Sequence, residues 1–191
     1  MEDKYDLKEI IENSKKYLNQ TIEEVRNILT QKASKFRLLE LDLLLKYMNT
    51  YILFNNASLL NYLEGKESYY ADQIMYYMLG NYFMAGIVKG IGEYAKKLDP
   101  KDPDYDKKDE YIKYFIYNLD VDPLHKIYKD FLDKVDEEMK SEGKEKYSLK
   151  DYDYILRKVS NDLANKVEKL VEDPYKILIE NRSFYKHKPI N

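Results

Sequence analysis

The chain has 191 residues, no cysteine, and a net charge of −3 from 32 basic and 35 acidic side chains. That length suits one domain that folds without disulfides or metal, and the missing thiols exclude disulfides, thiolate metal sites, Fe–S ligation and cysteine nucleophiles together. With 44% hydrophobic and 35% charged residues the composition is that of a folded chain rather than a disordered one, and four arginines (Arg26, Arg37, Arg157, Arg182) without a basic excess give no global support for nucleic-acid binding.

Six glycines and five prolines leave little punctuation, which favours long helices. Over residues 6–31, Leu7, Ile10, Ile11, Tyr17, Leu18, Ile22, Val25, Ile28 and Leu29 recur at helical spacing on a charged background. Thr21 with Glu24 three residues on reads as a capping box, so a break is expected near Asn19–Thr21. The next helix is expected from Ser34 to Phe54, with apolar residues around most of its circumference. A second apolar helix follows from Glu67 to about Leu98. Its segment Gln73–Val88 is sixteen residues without a charge, short of the roughly 20 that span a bilayer. These two helices are expected to pack against each other as the centre of the core, and the four glycines of the second, Gly80, Gly86, Gly90 and Gly92, suit close helix packing or a local bend.

Asp99–Asp109, with two prolines, five aspartates, three lysines and no aliphatic side chain, reads as a linker between an apolar first half and a more charged second half. Its alternating aspartates lack the central glycine of a calcium loop. Helices are expected at 109–119, at 122–139 with Pro123 in the first position, and from Leu149 to Val171 behind a Ser148 cap. Asp173-Pro174 opens a last short one. Only 144–149 offers room for a short β-hairpin arm. The expectation is an all-α, compact multi-helix domain over 1–191, with no sheet beyond that hairpin.

No dinucleotide fingerprint, phosphate loop, nucleophile elbow or paired-histidine zinc motif is present. No catalytic residue, cofactor or metal site follows from the motifs. His125 reads as a boundary residue of its helix. The string Arg182-Ser183-Phe184-Tyr185-Lys186-His187 is an Arg-x4-His pattern that resembles the motif of HEPN-type ribonucleases. That resemblance implies a dimeric RNase with His187 as acid/base and Arg182 as phosphate clamp. The string departs from the family in having Ser183 after the arginine and Pro189 close behind.

A second resemblance rests on the order and spacing of Ile11-Glu-Asn-Ser-x3-Leu-x-Gln20, Tyr51-Ile-Leu-Phe-Asn-Asn56, Leu59-Leu60-x-Tyr62, Phe115-Ile-x-Asn-Leu119, Gly143, Tyr147-Ser-Leu149 and Leu178-Ile-Glu-x-Arg182. In these the chain resembles the N-terminal helical domain of the archaeal DNA primase large (regulatory) subunit. It lacks that family's Fe–S cysteines and its tryptophan-centred stretch. The resemblance implies a non-catalytic scaffold that docks on a catalytic primase subunit. A helical adapter in other nucleic-acid machinery fits the composition equally. Weak nucleic-acid contact is then expected through Lys158, Lys166 and Lys169. The 21 tyrosines suit half-buried boundary and interface positions. The polar start Met1–Asp6 has no apolar stretch behind it, so a cytoplasmic protein without a membrane partner is expected.

Overall fold

The computed structural model describes residues 3–32, 41–48, 69–119, 121–145 and 147–176. Among them every regular element is helical: α1 (Asp3–Gln31), α2 (helical over 41–48), α3 (Tyr69–Lys96), α4 (Tyr105–Tyr117), α5 (Val121–Glu142) and α6 (Leu149–Glu172). The all-α expectation holds. No helix among these residues is long and apolar enough to cross a membrane.

The centre is α3, packed between α6 and α1. From Met78 to Val88 every residue is buried, as an all-round apolar helix requires. Glycine sets how closely its neighbours approach. A Cβ built on Gly90 would meet the Ala164 carbonyl oxygen at 2.6 Å and the Val167 Cβ at 2.6 Å. One built on Gly86 would meet the Ser160 carbonyl oxygen at 2.9 Å. Gly86 and Gly90 therefore form one small-residue seam with Ser160 and Ala164 of α6, while Gly92 faces Val25 of α1 on another side. This pairing with α6 is not legible in the apolar pattern. Of the expected helix Ser34–Phe54, the stretch 41–48 is helical with Leu41, Leu44 and Met48 wholly buried, and the rest lies outside the described residues. α5 joins the core through Tyr128 and Phe131, whose rings meet Phe83 edge-on at 4.9 and 5.6 Å.

Three local expectations are corrected. α1 does not break at Thr21: this hydroxyl donates to the Tyr17 carbonyl one turn back at 2.9 Å, so it satisfies the helix it sits in instead of starting another. The acidic stretch 99–109 is not a linker throughout. Asp99 and Asp102 accept the backbone N–H groups of Lys101 and Asp104, both at 2.9 Å, closing tight turns. α4 then begins at Tyr105 and buries Asp109 with Ile112, Phe115 and Ile116. No hairpin forms among the described residues of 144–149. Gly143 leaves α5 at φ +64°, a left-handed helix exit. Ser148 and Asp151 form a capping box at the start of α6. Lys144 and then Ser148, both bonded to Asp151, hold its carboxyl at about 2. Residues 174–176 are helical behind Asp173, as expected.

Candidate functional site

Where α1, α3 and α6 meet, a polar cluster interrupts the apolar core. Asp153 and Arg157 stand one turn apart on α6, a spacing that brings their side chains together, and the Arg157 Nε–H donates to Asp153 Oδ2 at 2.9 Å. The other oxygen of Asp153 accepts the hydroxyl of Tyr82, a wholly buried residue of α3. The Arg157 guanidinium lies 4.8 Å from the Tyr17 ring centre and 5.7 Å from that of Tyr82, and those rings are 5.3 Å apart. Two further bonds tie the junction: Ser160 Oγ donates to the Tyr82 carbonyl at 2.8 Å, and Asn81 Nδ2 donates to Ser14 Oγ at 3.1 Å.

The electrostatics follow from this placement. Burial, then the hydrogen bond to Asp153, push the Tyr82 phenol far above its ordinary range, so it stays a donor and cannot serve as a base. Burial is the largest single influence on Arg157 and opposes its charged form, but the bond to Asp153 together with the charge interactions with Tyr82, Asp153 and Tyr17 leaves its pKa raised. The Arg157 side chain remains 39% exposed. The arrangement holds a guanidinium in a fixed plane at the surface, with one edge bound to a carboxylate and a face against tyrosine.

The lysines expected to contact nucleic acid have two different settings. Lys158 pairs with Glu138 and Lys166 with Asp130, both across to α5. Lys134 extends this row to Glu137 at 3.0 Å and Glu138 at 3.9 Å. Bonded to Lys158, Glu138 sits below the ordinary carboxylate range. The row flanks a groove of about 200 Å³ floored by Phe131, Val159 and Leu163. Lys169 is exposed. Arg182 and His187 lie outside the described residues. His125 is exposed in the first turn of α5. No group of three or more potential metal ligands is gathered among the described residues.

Sequence reasoning missed Tyr17, Tyr82, Asp153 and Arg157. Asp-x3-Arg on a helix was the one local signal; Tyr82 is 71 residues from Asp153. Also missed was where tyrosine stays exposed: Tyr47, Tyr117, Tyr154 and Tyr175 are each more than half exposed. The Tyr114 and Tyr175 rings touch at 5.0 Å, and Tyr117 lies one turn on from Tyr114.

No protein-family model, curated protein or solved structure matches the chain. Its class is therefore stated from its own architecture: an all-α protein built around one central apolar helix.

Proposed function

We propose that the protein is a non-catalytic helical scaffold or adapter subunit of a nucleic-acid-processing assembly, working by presenting helix faces to a protein partner. The observation that carries this is the tyrosine patch at the end of α4 and just past α6. Tyr114 and Tyr175 are in ring contact, Tyr117 is 63% exposed and Tyr175 55%. Tyrosine buries a large area on association while freezing only two torsions, and it is enriched at interface hot spots. The primase-like order of segments suggests the partner, a catalytic primase subunit. Its place in nucleic-acid machinery rests on that resemblance.

The test is affinity capture from the native host, comparing wild type with a Tyr117→Ala/Tyr175→Ala variant. Recovery of a nucleic-acid-processing enzyme by wild type, and its loss from the variant, supports the reading. Equal recovery by both removes the patch, and elution of the protein alone at monomer mass removes the scaffold. Single-stranded RNA cleavage that disappears in His187→Ala would replace the scaffold with the ribonuclease.

A further inference from the structure

The exposed side of α6 differs from the side that faces α5. Tyr154, Arg157, Asn161 and Asn165 recur at i, i+3, i+7 and i+11, so they share one face of the helix. Tyr154 is 63% exposed, and Asn161 and Asn165 are exposed. Lys89 reaches this face from α3, its Nζ 2.6 Å from Asn161 Oδ1. Lys150 stands exposed one turn before Tyr154, and Lys169 one turn beyond Asn165. From Lys150 to Lys169 the stripe is about 28 Å long at 1.5 Å per residue.

The neighbouring carboxylates are already engaged. Asp153 is bound by Tyr82 and Arg157, Glu138 by Lys158, and both Glu168 and Glu172 by Lys97. Asp162 lines the groove toward α5. Between Tyr154 and Asn165 the stripe presents cations, amides and one protruding aromatic ring. Its Arg157 guanidinium is fixed in plane by the Asp153 bond and the Tyr17 ring.

From this arrangement we infer that the outer face of α6 is a contact surface for single-stranded nucleic acid. Arg157, Lys89, Asn161 and Asn165 meet the phosphate backbone, and Tyr154 stacks on an unpaired base. Arginine, lysine and asparagine are the side chains that contact phosphate and sugar. Base stacking on an exposed aromatic is sequence-tolerant and needs an unpaired strand. Tyr154 and Arg157 would suit a protein partner as well, but Lys89, Lys150 and Lys169 turn the balance toward phosphate, because protein interface cores are depleted in lysine. Of the lysines expected in the sequence, Lys158 stands one turn beyond Tyr154 on the α5 edge of this face and pairs with Glu138, Lys166 is turned toward Asp130 of α5, and Lys169 ends the stripe. The inference rests on the scaffold reading, since it names the nucleic acid the assembly would handle.

The test is fluorescence anisotropy of labelled oligothymidylate and oligouridylate with the full chain, at low and at physiological salt. Wild type is expected to bind, with affinity falling steeply as salt rises. Tyr154→Ala is expected to weaken binding at least about fivefold. Asn165→Asp, which sets a negative charge in the stripe, is expected to weaken it comparably. Both replaced side chains are exposed, so thermal unfolding of the two variants should match wild type and separate lost contact from lost fold. Tyr117→Ala, at the protein-docking patch, is expected to leave oligonucleotide affinity unchanged. No salt-dependent binding of either oligonucleotide overturns the inference. So does binding that Tyr154→Ala and Asn165→Asp both leave within about twofold of wild type, and so does equal affinity for duplex. Absent oligonucleotide binding with a partner still captured through Tyr117 and Tyr175 overturns this inference alone and leaves the scaffold standing.

Discussion

Replacing Gly90 by alanine should break the molecule at its tightest helix crossing. The new Cβ would lie 2.6 Å from both the Ala164 carbonyl oxygen and the Val167 Cβ, and 2.7 Å from the Val167 Cγ1. Ordinary carbon contacts begin near 3.5 Å, so α3 and α6 would have to part by about 0.8–1 Å. Two of the three obstructing atoms are backbone or Cβ and cannot rotate away. Parting would also loosen the buried core to which both helices contribute, with Ile87 and Ile91 from α3 and Leu163 and Val167 from α6 among its members. Overpacking of this kind costs about 1–3 kcal/mol, and the rigid obstruction sets the upper end. Alanine's better helix propensity returns about 1 kcal/mol. The net expectation is a loss of about 2 kcal/mol, read as a lower midpoint in urea unfolding followed by circular dichroism, with an unchanged denaturant slope. A Gly90→Ala protein as stable as wild type, or more so, would show that the seam does not set the spacing of α3 and α6.

Two further outcomes can be measured on the same footing. Leu44→Ala removes a wholly enclosed side chain from α2, so the same urea assay should show a loss of about 2–5 kcal/mol; a cost under 1 kcal/mol would place Leu44 outside the cooperative core. The second concerns alkaline pH. Burial first, then Tyr111 and Glu172, push Tyr94 up from 10.0 to about 12, and burial with the Asp153 bond raises Tyr82 further. Because the fold raises these pKa values, it favours the neutral phenols. Their contribution is complete below pH 10 and is lost as pH climbs through about 12. Phenolate absorbance should therefore include a phase near pH 12 that coincides with loss of helical circular dichroism. A single phase near pH 10 with the helices intact would contradict the burial.

The legible and illegible parts of the structure divide by sequence distance. The uncharged run Gln73–Val88 announces a buried helix by itself, and Ser148 with Asp151 announces the start of α6, because both signals lie within a few residues. Gly86 and Gly90 say that something comes close, but not what. The answer, Ser160 and Ala164, lies in another helix where small residues carry no apolar signal. The same limit hid the cluster: Asp153 and Arg157 are only an i, i+4 pair on one helix until Tyr17 and Tyr82 arrive from distant helices. It also hid the setting of the lysines. Lys158 and Lys166 stand on α6 as open cations in sequence, yet the acids that neutralise them sit 20 and 36 residues away on α5.

These separate contacts act on one variable, the rotation of α6 about its own axis. The glycine seam fixes Ser160 and Ala164 toward α3, and the Tyr82–Asp153 bond with the Tyr17–Arg157 contact fixes one flank toward α3 and α1. The pairs Lys158–Glu138 and Lys166–Asp130 fix the other flank toward α5. Turning the helix by one residue, about 100°, would press exposed charged side chains against the glycines and pull the Asp153 carboxylate from its buried phenol. The core therefore excludes the alternative settings, and the face left outward is the one that carries Tyr154, Asn161 and Asn165. Arg157 joins both roles: its Nε edge belongs to the clamp that sets the rotation, and its exposed part belongs to the face the rotation presents.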